Sequence, residues 1–255
     1  MKSERPAFES LPQSGELSAS DGARPVVAIT GGSSGIGLAT AIRFSAAGYH
    51  VAICARHPDR LVTAVDRIRD AGPGDHVTAI SADLTRPTEC GHFVAQVMRD
   101  WQRLDVFVNN AGVAPLANLT DISDEAFEEL INVNIRSLFY LTRQVWRIMQ
   151  QQSFGTLINI SSLAAIDPFP GFSIYGASKA WLDVFTRALA DEGRAQGIRA
   201  FALRCGAVET PLLRNLFPDF AADQALAPGQ VAEVIWSMVQ PGMQPASGAA
   251  LSVKA

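Results

Sequence analysis

Residues 26–38 read VVAITGGSSGIGL, and the fold turns on how they are read. Val26 to Thr30 form a short apolar run rich in β-branched side chains, as expected of a strand buried on both faces. The next segment, Thr30-Gly31-Gly32-Ser33-Ser34-Gly35-Ile36-Gly37, puts glycine where a chain must turn sharply and pack closely before entering a helix. Two readings of this turn stand side by side. It is either an ordinary glycine-rich strand–helix junction, or a cradle in which a helix N-terminus holds an anion such as a pyrophosphate. The spacing, Gly-x3-Gly-x-Gly, differs from the Gly-x-Gly-x-x-Gly of many dinucleotide sites.

Working outward, short runs rich in Val, Ile, Leu and Phe recur at 50–54, 77–81, 104–109, 156–161, 198–204 and 250–253. Stretches long enough for helices lie between them, at 35–47, 59–71, 88–101, 123–151, 175–194 and 228–239. Strand–helix alternation with right-handed crossovers predicts an α/β architecture. The expectation is a single Rossmann-type doubly wound domain over residues 25–255, with a seven-stranded, mostly parallel sheet flanked by helices. Residues 1–24 are rich in Ser, Glu, Pro and Gly, lack an apolar signal core, and read as a disordered N-terminal tail. In 123–151, apolar residues cover more than one helix face. This fits either a locally thick core or contact with a second copy of the chain, a homodimer or homotetramer.

Composition narrows the function. The chain has 255 residues, a formal charge of −4 and no basic run, which argues against a nucleic-acid partner or an anionic membrane surface. No apolar stretch is long enough to span a bilayer, so no membrane role is expected. Cys54, Cys90 and Cys205 contain no Cys-x-x-Cys pair, and the expectation is no disulfide framework and a cytoplasmic location. His50, His57, His76 and His92 lack metal-ligand spacing, so no metal is expected.

The second strand runs Ile53-Cys54-Ala55-Arg56. An Asp or Glu near this point would accept from an NAD ribose hydroxyl. Ala55 stands where an acid would be expected, followed by Arg56, and a guanidinium is a good bidentate partner for a phosphate. The reading favours NADP(H) over NAD(H), with a solvated loop arginine as the alternative.

Further motifs follow in order: Asp83-Leu84, Asn109-Asn110-Ala111-Gly112, Ser162 and Tyr175-Gly-Ala-Ser-Lys179. With the glycine turn, this ordered set resembles the short-chain dehydrogenase/reductase family over about residues 25–240. The resemblance implies an oxidoreductase that moves hydride between NADP(H) and a carbonyl or alcohol carbon of a small molecule. It implies Asn134, Ser162, Tyr175 and Lys179 as the catalytic set. It further implies cofactor contacts from Gly31, Ser33, Ser34, Gly35, Ile36, Gly37, Arg56, Asp83, Leu84, Asn110, Gly112, Tyr175, Lys179, Val208 and Thr210. Asp83 would accept from the adenine amino group, Val208 and Thr210 would meet the nicotinamide region, and Asn134 would hold a proton-relay water.

Elementary chemistry supports these roles. Hydride addition to a carbonyl leaves an alkoxide that needs a proton. A phenol titrates near pH ~10, and Lys179, one helical turn after Tyr175, is expected to lower that value. Ser162 can donate to the developing oxyanion, or serve as a simple turn cap. Two departures from the family pattern stand out: Cys205-Gly206 where Pro-Gly is frequent, and Ser137 where glycine is frequent after Asn134. The segments Ile166-Asp-Pro-Phe169-Pro-Gly-Phe172 and Pro211-Leu212-Leu213-Arg214-Asn-Leu216-Phe217-Pro-Asp-Phe220 point to a hydrophobic substrate or to ordinary packing. A non-catalytic nucleotide-binding regulator on the same fold is the alternative function.

Overall fold

The structure, a computed structural model, describes residues 24–73 and 76–255. The expected disordered tail, Arg24 apart, lies outside the described residues. Seven strands form one sheet: β1 (Val26–Thr30), β2 (His50–Ala55), β3 (Val77–Ser81), β4 (Val106–Asn109), β5 (Gly155–Ser162), β6 (Ile198–Cys205) and β7 (Ala250–Val253). Their order is β3-β2-β1-β4-β5-β6-β7, and every pairing is parallel, not merely most of them. The strand order reverses direction beside β1. The carboxyl ends of β1 and β4 therefore flank the crevice where such sheets take ligands.

Among the described residues, eight α-helices connect the strands: α1 (Gly35–Ala46), α2 (Pro58–Arg69), α3 (Pro87–Trp101), α4 (Asp124–Leu130), α5 (Ser137–Gln152), α6 (Ser173–Gly193), α7 (Pro211–Leu216) and α8 (Pro228–Val239). Side chains alternate across each strand, so the sheet sends separate sets to two cores. Val27, Ile29, Val51, Ile53 and Phe201 pack under α1, α2 and α8, with Phe44, Ile68 and Ile235 facing them. Val26, Ala28, Ala52, Phe107 and Leu157 pack under α3, α5 and α6, against Phe93, Val145 and Met149. Full burial of each such large side chain stabilises the fold by about 1.5–3 kcal/mol.

The stretch 123–151 is not one helix. Ser123 caps α4 by accepting from Ala126 N–H at 3.2 Å. A wide π turn, Ile131–Arg136, then separates α4 from α5. Such turns often mark functional positions, and this one carries Asn134. Ser137, which stands where the family frequently has glycine, follows it and donates to Val133 O at 2.6 Å. Its hydroxyl is thereby satisfied in the place where glycine would carry none.

Beneath the crevice, polar side chains set the registration of β4 and β5. Asn109 Nδ2 donates to Asn159 Oδ1 at 2.8 Å and to Thr142 Oγ1 at 3.2 Å, and Asn159 Nδ2 donates to Thr186 Oγ1 at 2.8 Å. All four residues are buried, so breaking one link leaves a dry polar group unpaired at a cost of about 1–3 kcal/mol.

Candidate active site

The glycine turn owes its shape to close backbone contacts. Gly31 has φ +67° and Gly35 φ +53°, both in the left-handed region that side chains resist. A Cβ on Gly37 would lie 2.4 Å from Gly31 O, so α1 enters directly against the end of β1. Asn110 and Thr30 lock this arrangement. Asn110 and Ala111 N–H both donate to Thr30 Oγ1 at 3.0 Å, and Asn110 Nδ2 donates to Thr30 O at 2.9 Å and Gly31 O at 3.2 Å. Ser34 precedes α1 without capping it, and the first turn carries no acidic residue. Its N–H groups and positive dipole end are left for an anion.

This turn forms one end of a 630 Å³ cavity over the carboxyl edge of the sheet. Of the residues expected to bind cofactor, Gly31, Ser33, Ser34, Gly35, Ile36, Arg56, Asp83, Leu84, Asn110, Gly112, Tyr175, Lys179, Val208 and Thr210 line it, and so does Ser162. Gly37 and Asn134 do not. Gly37 serves the packing of α1 on β1. Asn134 lies behind the wall, its Oδ1 accepting from Val113 N–H at 2.9 Å and its Nδ2 donating to Val113 O at 2.9 Å and Ser178 Oγ at 3.2 Å. A Cβ on Gly112 would be 3.4 Å from Asn134 Oδ1 and 3.6 Å from Lys179 Nζ, so these groups face one spot.

At the end of the cavity beside β2, Arg56 Nη1 pairs with Glu129 Oε1 at 3.2 Å; both side chains are about half exposed. Burial opposes ionisation of Asp83, yet the Thr85 hydroxyl and N–H, with the Arg86 and Arg56 charges, hold its carboxyl below the ordinary range. It is a carboxylate at neutral pH and can accept hydrogen bonds.

At the other end, α6 begins at Ser173, earlier than the sequence suggested, which places Tyr175 in its first turn and Lys179 one turn on. Lys179 Nζ donates to Ile160 O at 2.9 Å and lies 5.7 Å from the Tyr175 ring centre. Ser162 does two things: its Oγ accepts from Ala164 N–H at 3.2 Å, capping the turn Leu163–Ala165, and its hydroxyl hydrogen-bonds the Tyr175 phenol.

In this structure the net shift of the Tyr175 phenol is upward, because burial outweighs the charges and hydrogen bonds around it. Burial pushes Tyr175 up to about 12, the Ser162 hydrogen bond opposing it and Cys205 adding to it. Burial pulls Lys179 down to about 8, with the Asp183 carboxylate opposing it. Desolvation acts on both groups and favours the uncharged form of each. Cys205, on the cavity wall, is likewise pushed up to about 12 by burial, so its thiol is neutral.

Thr210 caps α7 by accepting from Leu213 N–H at 3.3 Å. Arg214 braces the segment that follows. Its guanidinium pairs with the Glu209 carboxylate and donates to Pro218 O at 3.1 Å and Phe220 O at 2.7 Å. Sequence reasoning missed Thr30, the Ile160 carbonyl and Glu129. Only Thr30 carried a signal, as the one hydroxyl at the end of an apolar strand.

Residues 25–220 match the family model for short chain dehydrogenase. The chain belongs to the short-chain dehydrogenase family. Acetoacetyl-CoA reductase of Shinella zoogloeoides is 34% identical to it over 203 residues, 80% of this chain and 81% of that protein. Among solved structures, a 3-ketoacyl-(acyl-carrier-protein) reductase from Brucella melitensis complexed with NADH is 29% identical, with a TM-score of 0.82 over 91% of this chain and 97% of that one. A variant of actinorhodin polyketide ketoreductase with NADPH, also 29% identical, gives a TM-score of 0.84 over 90% of this chain and 95% of that one. This short-chain dehydrogenase is an oxidoreductase with a Rossmann-type fold. Among its described residues, no helix is long and apolar enough to cross a membrane.

Proposed function

We propose that this chain is an NADPH-dependent carbonyl reductase in which Tyr175 donates the proton. The observation that carries the reading is one cavity lined by both the uncapped start of α1 and the Ser162–Tyr175–Lys179 cluster. The residues present fit a dinucleotide phosphate: a glycine cradle a Cβ would fill, an anion-accepting helix start, the Asp83 carboxylate and the Arg56 guanidinium. When bound, such a cofactor supplies the hydride. The chain's own residues do the rest. The phenol, protonated at neutral pH, gives its proton to the oxygen of the reduced carbonyl. Ser162 orients that oxygen and stabilises the charge that develops on it. Lys179, held by Ile160 O, lends positive charge below pH about 8 and so eases departure of the phenolic proton. Asn134 fixes the Val113 backbone, and its Oδ1 and Lys179 Nζ both approach Gly112, where a relay water would join them.

Arg56 is the basis for preferring NADPH over NADH, since its guanidinium can exchange Glu129 for a 2′-phosphate. We further place the protein in the cytoplasm as a homodimer or homotetramer. All three cysteines are free and buried, and Phe139 on α5 and Val184 on α6 are exposed.

Purified protein with NADPH and a panel of carbonyl compounds tests the activity, read as NADPH consumption. Cofactor preference is tested by fluorescence titration, with NADPH expected to bind at least about tenfold more tightly than NADH through charge-assisted contacts to the extra phosphate. Equal binding, or a preference for NADH, removes the role given to Arg56.

A further inference from the structure

The substrate end of the cavity has a charge character that the reductase reading leaves unassigned. Phe169 stacks on Phe172 with ring centres 4.4 Å apart, and Phe217 lies 6.2 Å from each. Phe172 in turn meets Tyr175 edge-on at 5.0 Å. An aromatic wall thus runs up to the phenol, with Leu213 and Leu216 also lining the cavity.

Cations are missing from this wall among the described residues. Arg56 and His57 lie with Asp83 at the end of the cavity beside β2, and Lys179 is committed to the Ile160 carbonyl beside Tyr175. Arg214, in the segment carrying Phe217, does not line the cavity because Glu209, Pro218 O and Phe220 O hold its guanidinium. The remaining Asp, Glu, Lys, Arg or His side chain that lines the cavity is Asp167, exposed at its mouth. Its backbone N–H donates to Leu163 O at 2.9 Å, which fixes it in the turn leading to the aromatic cluster.

We propose that this pocket selects aryl or similarly apolar ketones that are neutral or carry an ammonium group, and that Asp167 determines this specificity by turning away ketones bearing a carboxylate or phosphate. A substrate anion seated against these rings would lose part of its hydration, find no cation to pair with, and meet the solvent-screened field of Asp167, which is exposed at the cavity mouth. A neutral ring loses nothing by burial there. An ammonium gains both the Asp167 carboxylate and the faces of the aromatic rings.

The proposal rests on the reductase reading, and the test separates the two. Three matched acetophenones, with para carboxamide, carboxylate or aminomethyl groups, are titrated calorimetrically into the full chain in excess NADP+. NADPH consumption with the same compounds is measured in parallel. The carboxylate should bind about tenfold or more weakly than the amide, and the aminomethyl compound at least as tightly as the amide. In Asp167→Asn the gap between carboxylate and amide should shrink about threefold or more, the scale of one partly screened charge. A carboxylate that binds as well as the amide, a gap unchanged in Asp167→Asn, or binding of none of the three overturns the proposal. Binding in the expected order without NADPH consumption leaves the charge selection standing and defeats the reductase reading.

Discussion

Lys179→Met should make the protein more stable at neutral pH while impairing turnover. Lys179 is 5% exposed, and burial takes its ammonium from 10.5 to about 8. The interval between those values corresponds to about 3 kcal/mol charged against the folded state when the amine is protonated. Methionine fills similar space without that cost, but its removal of the donor to Ile160 O forfeits about 1 kcal/mol. The net gain expected at pH 7 is about 1–2 kcal/mol. The pH dependence carries the sharper test. Between about 8 and 10.5 the unfolded lysine holds its proton while the folded one does not, so wild-type stability rises with pH through that window. The advantage of the variant should therefore shrink as pH rises from 8 to 10.5. Urea denaturation of both proteins at several pH values gives this difference directly. Tyr175 is common to both and largely cancels. A wild type more stable than the variant at pH 7, or a difference that ignores pH, would refute the reasoning.

Tyr175→Phe removes only the phenolic oxygen. It should keep NADPH affinity within about threefold while turnover falls about 10²–10⁴-fold, as expected for loss of a positioned proton donor; steady-state kinetics beside a fluorescence titration checks both. Arg56→Ala should weaken NADPH at least about tenfold and barely affect NADH. Glu129→Gln, which neutralises the partner at 3.2 Å, should tighten NADPH by about two- to fivefold, consistent with an exposed ion pair; a weaker NADPH complex in that variant would show Glu129 orienting Arg56 rather than competing for it. Gly37→Ala places a Cβ 2.4 Å from Gly31 O and 2.5 Å from Asn110 Nδ2. It should lower stability by about 1–3 kcal/mol and weaken NADPH, both measurable by thermal denaturation with and without cofactor.

The inner strands were legible because they are buried on both faces and so read as apolar, β-branched runs, as in β1, while the partly exposed edge strands β3 and β7 were legible from residue type alone. Strands β1, β3 and β7 lie at 26–30, 77–81 and 250–253 in both sequence and structure. The break in 123–151 was not legible. The π turn is stabilised by Asn134 reaching the backbone of Val113, a contact no local periodicity encodes. For the site, residue types and intervals located the cavity wall but not its electrostatics. Spacing shows that Lys179 follows Tyr175 by one turn; it cannot show that both are dry. Arg214 is similar. Its sequence neighbourhood suggests a substrate contact, but the carboxylate of Glu209 and two backbone carbonyls claim it.

Burial moves the ionisable groups at the cavity floor in one chemical direction, toward the uncharged form. Tyr175 and Cys205 rise to about 12, and Lys179 falls to about 8. Carbonyl reduction requires a protonated donor, whereas alcohol oxidation requires a phenolate ready to accept. At neutral pH a buried phenol meets the first requirement without any rearrangement of protons. The second would have to create a tyrosinate against the desolvation that holds the phenol together, helped by Ser162 and by whatever charge Lys179 retains. The buried surroundings of the phenol would, on the proposed reading, keep the proton donor loaded. On the proposed reading, the burial that keeps the phenol protonated, with Phe172 edge-on at 5.0 Å, is what carbonyl reduction would draw on.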